Sequence, residues 1–502
     1  MSLQFVMGPS GSGKSHYLYQ MVTEESLRNP DKNYFVLVPD QFTMQTQRDL
    51  VMANPRKGIL NVDVLSFNRL AHRVFEETGA NQSVILDDVG KSFVLRKIAG
   101  DYEKKLIFLG SNLKKTGFIS EVKSIISEFT QYDIQREDLQ QMIEAAGAET
   151  SLGYKLQDIS RIYEGFQEYL RGKYITGEEL LDVLCTVVPK SNILKNSVIV
   201  LDGFTGFTPV QNKLLRELLL VCEKVVVTIT VEPTQKKFML FDMSRKMEES
   251  LVKIAKECKV PVENPVQFID KPVYRFRTNS ALGFLESHLF RYSRDVFQGE
   301  QDSVQIFHGE TVKEELDFVA QSIRRMVRID GLHYRDVAVI VSDMNTYANY
   351  AERTFDSYGI PIFMDHKRSI LLNSFVEYLR SLLSMMEQNF SYESVFRYLR
   401  TDLAGLDKKE VDELENYCVA LGVRGYKQWQ EKWIRRTRDM EESDLEVINQ
   451  YRERFMMKLD KVVPVLKSRT KTVAEVTRAL HDFLYENEIQ QRVHEYEERF
   501  IT

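Results

Sequence analysis

The octapeptide Gly-Pro-Ser-Gly-Ser-Gly-Lys-Ser at residues 8–15 constrains the fold of this chain more than any other feature. It fits the pattern G-x-x-x-x-G-K-S/T, in which glycines let backbone N–H groups converge on phosphate oxygens. A short apolar run at residues 3–7 precedes it, and a helical pattern begins near Lys14. A strand, a glycine-rich loop and a helix in this order predict a phosphate-binding loop in an α/β fold. A purely structural glycine turn is the alternative interpretation.

All residues of this loop are predicted ATP contacts. Lys14 is expected to reach the β- and γ-phosphates of ATP, and Ser15 is expected to coordinate Mg²⁺. The remaining residues of the loop are expected to surround the phosphates. These residues are Gly8, Pro9, Ser10, Gly11, Ser12 and Gly13.

A buried strand that ends in a carboxylate is the usual partner of such a loop. The apolar run at residues 198–201 ends at Asp202, which predicts a second contact to Mg²⁺, direct or through water. A plain turn at the end of the strand is the alternative. Active DNA helicases of this architecture place a glutamate next, where it polarises the attacking water. The next residue here is Gly203, so the sequence predicts a nucleotide pocket with weakened hydrolysis.

Strand-like and helical segments alternate in the first part of the chain. The strand-like runs predict an α/β domain made of residues 1–86 together with residues 195–275. Apolar residues recur at helical spacing in residues 87–194, which predicts a helical insertion. The strand-like runs of this domain, beyond residues 3–7, are 34–38, 59–65, 197–201 and 225–231.

A second alternation begins near residue 300. It predicts the start of a second α/β domain at residues 300–373, and the helical pattern of residues 374–502 predicts a second helical insertion. The strand-like runs of this second domain are 303–307, 337–341 and 360–363.

Net charge and cysteine usage restrict the class of protein further. The formal net charge is −6 over 502 residues, so any contact with nucleic acid must come from local patches. The cysteines lie far apart without a C-x-x-C pair, which argues against a zinc ribbon and a disulfide framework and fits a reducing cytoplasm. No run approaches the ~20 apolar residues of a membrane span. The four cysteines are Cys185, Cys222, Cys258 and Cys418.

Polar residues after two predicted strands are candidates for contact with DNA phosphates or sugars. They are Gln41, Thr43, Gln45, Ser66 and Asn68. Capped helix starts with exposed polar side chains are the alternative interpretation.

A basic and aromatic run at residues 424–439 is the other candidate for DNA contact. Aromatic rings can stack on bases while Arg and Lys neutralise phosphates. Trp429 and Trp433 are four residues apart, however, which favours core packing on one helix face. The basic candidates are Lys432, Arg435 and Arg436, and a solvated face is their alternative.

Several segments, in this order, resemble the AddB family, called RexB in some lineages. Its members are the B subunits of a bacterial ATP-dependent helicase/nuclease. The most specific segment is LDGFTGFTPVQ at residues 201–211, because ordinary helicases of the UvrD-like class lack it. The others are the phosphate loop, VPDQFTMQTQ at 38–47, VLSFNRLAHRVF at 64–75 and LENYCVALGVRG at 414–425.

The resemblance implies a fold and a set of partners. The fold is expected to be a superfamily 1 helicase body, with two RecA-like α/β domains that each carry a helical insertion. AddAB-type complexes pair an AddB chain with an AddA-type helicase/nuclease and resect double-strand breaks for recombination. The AddB chain is expected to be a degenerate helicase that holds single-stranded DNA and reads Chi. A nuclease domain with an iron–sulfur cluster is expected only in a C-terminal part beyond this sequence.

Two other functions stay open from the sequence. A competent, DNA-stimulated motor ATPase would need another carboxylate in place of the missing glutamate. A non-hydrolysing scaffold would carry a vestigial phosphate loop.

Overall fold

The computed structural model describes residues 1–79, 84–112, 115, 117–234, 239–365, 369–438 and 440–501. The chain divides into two compact units, Met1–Ile306 and Phe307–Thr502. The first unit contains the phosphate-loop sequence, and the second contains the basic and aromatic run. Among the described residues, no helix combines the length and the apolar character needed to cross a bilayer.

A parallel sheet of six strands forms the centre of the first unit. The strands of the unit are β1 (Leu3–Gly8), β2 (Asn33–Leu37), β3 (Val62–Leu65), β4 (Val84–Leu86), β5 (Tyr174–Thr176), β6 (Ser197–Leu201), β7 (Lys224–Thr230) and β8 (Val266–Gln267). Their order across the large sheet is β3, β2, β6, β7, β1, β8, and β4 pairs with β5 separately. Because all pairings are parallel, the strands end at one common edge, termed the carboxyl edge.

Both faces of the large sheet are buried, which explains its nearly continuous apolar strands. In β2, Phe35 and Leu37 pack into one core cluster, whereas Tyr34 and Val36 pack into another. This alternation follows from the period of two in a strand. The prediction of residues 59–65 as a strand was too long, because β3 begins only at Val62.

Helices cover the sheet and form the insertion between β3 and β6. Asp158 is buried in this insertion, and its carboxylate accepts hydrogen bonds from the backbone N–H groups of Ile107, Phe108 and Leu109. The helices of the first unit are α1 (Lys14–Arg28), α2 (Thr43–Ala53), α3 (Phe67–Thr78), α4 (Asp88–Asp101), α5 (Phe118–Gln131), α6 (Arg136–Ala146), α7 (Ser151–Leu170), α8 (Leu180–Val187), α9 (Asn192–Lys195), α10 (Pro209–Val221), α11 (Asp242–Glu257) and α12 (Ser280–His288).

The second unit contains helices and connecting segments but no strand among its described residues. Its larger core is built from the helices that follow residue 373, and a smaller core joins the first two helices. The helices are α13 (Val312–Arg328), α14 (Met344–Ser357), α15 (Ser374–Glu387), α16 (Tyr392–Leu399), α17 (Lys408–Leu421), α18 (Tyr426–Gln430), α19 (Glu442–Leu459), α20 (Val462–Lys467), α21 (Val473–Glu486) and α22 (Ile489–Ile501).

The three strands predicted at residues 303–307, 337–341 and 360–363 are absent as strands. A strand requires a hydrogen-bonded neighbour, and the described residues provide none for these segments. Ile360 is buried in the smaller core of the second unit, whereas Ile306, Ile340 and Phe363 are each more than nine-tenths exposed.

Candidate nucleotide and nucleic-acid site

The phosphate loop connects β1 to α1 at the carboxyl edge, and its glycines are required by its geometry. Gly11 and Gly13 adopt left-handed backbone conformations, with φ of +79° and +100°. Gly8 has no room for a side chain, because a Cβ there would lie 2.6 Å from Ser12 Oγ and 2.8 Å from Phe268 Cβ. The loop is therefore a compact turn in which backbone N–H groups can converge.

Lys14 is buried beneath the loop. Its Nζ donates hydrogen bonds of 2.9 Å to the carbonyl oxygens of Gly8 and Pro9. Burial lowers the pKa of Lys14 to about 8, the nearby Asp202 carboxylate opposes that shift, and Arg275 adds to it. The amine is thus held where phosphate oxygens would arrive, and an anion there would stabilise its charged form.

The loop residues fit a phosphate ligand. Ser12 is buried, yet its Oγ has no hydrogen-bond partner. A buried hydroxyl without a partner is costly, and a phosphate oxygen would satisfy it. Ser10 and Ser15 are exposed, so their hydroxyls are accessible to a nucleotide.

Asp202 lies at the end of β6 with its carboxylate held by two hydroxyl groups. Thr228 Oγ1 donates to Oδ1 at 2.7 Å, and the Tyr19 hydroxyl donates to Oδ2 at 3.1 Å. Burial and the Asp202 charge raise the pKa of Tyr19 well above its usual value, so Tyr19 stays a donor. No sequence motif singles out Tyr19 or Thr228, although Tyr19 follows Ser15 by one turn of α1 and faces the same way.

The metal ligands available here are few. The described residues contain no group of three or more His, Cys, Asp or Glu side chains arranged to hold a metal ion. Mg²⁺ at this site would therefore take ligands from Ser15, from Asp202 directly or through water, and from phosphate and water oxygens. Such a sparse protein ligand set is typical of Mg²⁺ bound with a nucleotide.

The residue after Asp202 cannot supply a catalytic side chain. Gly203 has φ of +80°, a conformation that side-chain-bearing residues rarely adopt. A glutamate at this position would therefore have to strain the backbone.

The predicted DNA contacts after β2 have different environments. Gln41 and Gln45 are exposed, although Gln45 Nε2 donates to Asp49 Oδ1 at 2.7 Å. Thr43 is buried at the first turn of α2, and its Oγ1 donates to the carbonyl oxygen of Asp40. Thr43 thus has a structural role at the helix start, while the two glutamines are accessible.

The residues after β3 divide in the same way. Ser66 is buried and caps α3, since its Oγ accepts from the backbone N–H of Arg69 at 3.5 Å. Asn68 is exposed. The structure brings all these residues to the carboxyl edge, because β2 and β3 are adjacent and parallel.

Three phenylalanines gather beside these polar residues, and no sequence motif predicts their proximity. The rings of Phe67, Phe204 and Phe207 have centroids 5.3 to 6.2 Å apart. Phe204 and Phe207 are only half-buried, so part of each ring is accessible. They follow β6, the strand between β2 and β7.

The basic and aromatic run lies in the second unit, and it is not the single helix that the sequence pattern predicts. Helix α18 ends at Gln430, and the backbone N–H of Trp433 donates to Asn449 Oδ1 at 2.9 Å. The two tryptophans are buried and pack edge-to-face at 5.2 Å, which confirms the core-packing interpretation. Lys432, Arg435 and Arg436 are exposed, and residue 439 lies outside the described residues.

Comparison with known proteins decides the family. A family model described as "ADDB, N-terminal" matches residues 5–286. The chain belongs to the AddB family. It is 42% identical over its whole length to the B subunit of the ATP-dependent helicase/deoxyribonuclease of Lachnoclostridium phytofermentans. It is 34% identical over its whole length to the protein of the same name from Caldanaerobacter subterraneus subsp. tengcongensis.

These AddB-family relatives are longer than the chain. The chain covers 44% of the Lachnoclostridium protein and 44% of the Caldanaerobacter protein. A third relative of the same name, from Clostridium kluyveri, is 33% identical over 99% of the chain and is likewise covered to 44%. The resemblance in the sequence motifs is confirmed at the level of the family.

Proposed function

We propose that this chain is the ATP-binding, DNA-binding part of one subunit of an AddAB-type helicase/nuclease, a complex that resects double-strand breaks for recombinational repair. One observation carries the nucleotide part of the proposal. The phosphate loop combines a buried Lys14, an orphaned Ser12 hydroxyl and a carboxylate, Asp202, close enough to influence Lys14. This combination provides donors for phosphate and one oriented acceptor for hydrated Mg²⁺.

The nucleotide is proposed to act mainly as a structural ligand. Hydrolysis requires a group that polarises the attacking water, and position 203 lacks both a side chain and an ordinary backbone conformation. ATP would then stabilise the arrangement of the protein around the loop, while turnover stays slow.

The DNA-binding role rests on the carboxyl edge beyond Asp202. Exposed Gln41, Gln45 and Asn68 offer hydrogen bonds to phosphates and sugars. The accessible rings of Phe204 and Phe207 offer stacking surfaces for unpaired bases. We propose that single-stranded DNA lies along this edge and that Chi is read by this protein.

The remaining parts of the AddAB-type assignment concern the whole protein. Residues 1–86 with 195–275 are proposed as the first RecA-like domain, and residues 300–373 as the start of the second. The second unit contains a cavity of about 860 Å³ lined largely by residues 337–341 and 360–365, a face suited to further strands of that domain. The proposal also includes an AddA-type partner subunit and DNA ends as the substrate. It further includes a nuclease domain with an iron–sulfur cluster outside this chain, and a cytoplasmic location.

A competent motor ATPase is the second candidate, and one buried carboxylate favours it. Glu232 follows β7 by two residues at the carboxyl edge and could replace the missing glutamate. However, its Oε2 lies 2.8 Å from Lys271 Nζ and 3.7 Å from the Arg291 guanidinium. These ion pairs occupy the carboxylate, which is therefore not free to polarise a water molecule, so slow turnover is the better-supported proposal.

Equilibrium binding of a fluorescent ATP analogue with Mg²⁺ tests the proposed function. The intact protein is titrated with and without single-stranded DNA, as wild type, Lys14→Ala and the surface control Lys246→Ala. We expect Lys14→Ala to weaken binding by about ten- to a hundredfold, the usual loss for a charged hydrogen bond. Lys246→Ala should bind like wild type, because its side chain is 74% exposed on α11.

Two outcomes would contradict the proposal. Turnover above about 1 s⁻¹ with DNA, within the usual range of enzymes, would favour the motor. Absence of ATP binding in the wild-type protein would favour a scaffold with a vestigial loop.

A further inference from the structure

We propose that Arg275 is a second cationic ligand of the nucleotide and that it recognises the terminal phosphate of a nucleoside triphosphate. This inference rests on the proposed function, because it assumes that the phosphate loop binds a nucleotide. It adds a residue far from the loop in sequence, in a segment that no motif assigns to nucleotide binding.

The segment that carries Arg275 lies directly on the phosphate loop. The backbone N–H of Phe268 donates to the carbonyl oxygen of Met7 at 2.8 Å, and that of Arg275 donates to the carbonyl oxygen of Gly11 at 3.0 Å. A Cβ at Gly11 would lie 3.0 Å from the Cβ of Arg275 and 3.5 Å from its Nε. The stem of Arg275 therefore runs along the loop at Gly11, and the side chain is exposed to solvent.

Ionic contacts fix this segment in place. Lys271, four residues before Arg275, pairs with Glu232 at 2.8 Å. Glu232 is in turn anchored next to the loop, because the backbone N–H of the preceding Val231 donates to the Gly8 carbonyl oxygen at 3.2 Å. Arg291 closes the cluster through Glu232 and Glu286. The segment is thus tied to the loop at both of its ends and is not a loosely attached turn.

Arg275 is not paired with a carboxylate in the part of the chain that the structure describes. Among the described residues, no carboxylate lies within ion-pair distance of its guanidinium, and its side chain makes no hydrogen bond. Its charge is instead close enough to Lys14 to lower the pKa of that amine. Two cations close to one loop repel each other, and a polyanion bound between them would turn that repulsion into attraction.

The position of Arg275 favours contact with the terminal phosphate of the nucleotide over contact with the inner phosphates. The loop's N–H groups and the N-terminus of α1 enclose the phosphate that enters the loop. A guanidinium outside the loop reaches oxygens that remain uncovered, and its planar fork suits bidentate contact with a phosphate. Arg275 should consequently distinguish a triphosphate from a diphosphate.

The neighbouring Arg277 provides a matched control. Its guanidinium pairs with Asp270 at 2.8 Å and stacks over Tyr274, so its charge is already neutralised. Arg275→Gln and Arg277→Gln remove the same charge from the same short segment. Only Arg275→Gln removes a cation that faces the phosphate loop.

Calorimetric titration of the intact protein with Mg·ATP and with Mg·ADP tests the proposal. We expect Arg275→Gln to weaken ATP binding by about tenfold or more, as for loss of a charge-assisted contact. ADP binding should change by less than about threefold, since the inner phosphates keep their loop contacts, and Arg275→Lys should recover part of the ATP affinity. Thermal unfolding without nucleotide should be the same for wild type and Arg275→Gln.

The results separate the two levels of inference. If wild type binds ATP through Lys14 but Arg275→Gln behaves like Arg277→Gln, the role of Arg275 is wrong and the proposed function stands. Equal weakening of ATP and ADP would also overturn recognition of the terminal phosphate. Loss of single-stranded DNA binding with unchanged ATP affinity would assign Arg275 to DNA instead. If wild type binds neither nucleotide, the proposed function itself fails.

Discussion

At the scale of single residues, Lys14 makes nucleotide binding depend on pH. Its pKa in the free protein is about 8, and a bound phosphate would raise it because opposite charge favours the ammonium form. Below pH 8 the amine is already charged, so affinity should be nearly constant. Above pH 8 binding must take up a proton, and affinity should fall by up to about tenfold per pH unit until the pKa of the complex is reached.

Titration of ATP binding between about pH 6.5 and 9.5 measures this linkage. Lys14→Arg is the control, since a guanidinium stays charged throughout this range and its profile should therefore be flat. A flat profile for the wild-type protein would mean that phosphate does not contact this amine.

The phosphate site illustrates what single residues reveal in a sequence. The glycine-rich turn between β1 and α1 could be predicted from the spacing of Gly8, Lys14 and Ser15, while their contact with phosphate stays a prediction. Asp202 was also predictable, since a carboxylate at the end of a buried strand is recognisable. Arg275 could not be predicted, because its contact with Gly11 depends on how residues 268–277 fold back over the loop.

At the scale of elements, the run around α18 separates packing from DNA contact. Trp429→Ala should destabilise the protein by about 3–5 kcal/mol, because its ring is buried among aromatic neighbours. Arg435→Ala should change stability by less than about 0.5 kcal/mol, since its side chain is exposed. If Arg435 contacts a DNA phosphate, Arg435→Ala should also reduce the salt dependence of DNA binding by about one unit of slope.

Chemical denaturation and DNA binding at several salt concentrations measure the two effects. A stable Trp429→Ala variant that has lost DNA binding would reverse the assignment for the tryptophan. An unchanged salt slope in Arg435→Ala would show that Arg435 does not contact a DNA phosphate.

The strand-like runs of the two predicted α/β domains show why some strands can be predicted from sequence and others cannot. Strands β2, β6 and β7 were predictable because their apolar runs have partners on both sides in the sheet. Residues 337–341 have an equally strong apolar run, Val-Ala-Val-Ile-Val. A sequence pattern describes the tendency to form a strand, whereas the ladder of hydrogen bonds depends on other segments.

At the scale of the whole molecule, the proposed second RecA-like domain makes a prediction for hydrogen exchange. Residues 337–341 make no ladder hydrogen bonds with other described residues, so their amides should exchange quickly in the 502-residue chain alone. In the longer protein proposed here they should be protected by about a hundredfold or more, because paired core strands open only rarely. The amides of β6 serve as the internal reference and should be protected in both samples.

Mass spectrometry of exchanged peptides from the two samples makes this comparison directly. Equally fast exchange of residues 337–341 in both samples would show that no strand covers them. The domain proposal for residues 300–373 would then have to be abandoned, while the nucleotide site would be unaffected.

The strand order of the large sheet also determines when it can form during synthesis. Strand β1 pairs with β7, and β2 pairs with β6, so each early strand waits for a neighbour made well over a hundred residues later. At about 5–20 residues per second, that delay is roughly ten to forty seconds. The local contacts of α4 to α7 can meanwhile form on the ribosome. Until β6 and β7 are made, β1 and one edge of β2 are expected to stay unpaired, and an unpaired apolar strand is prone to aggregation.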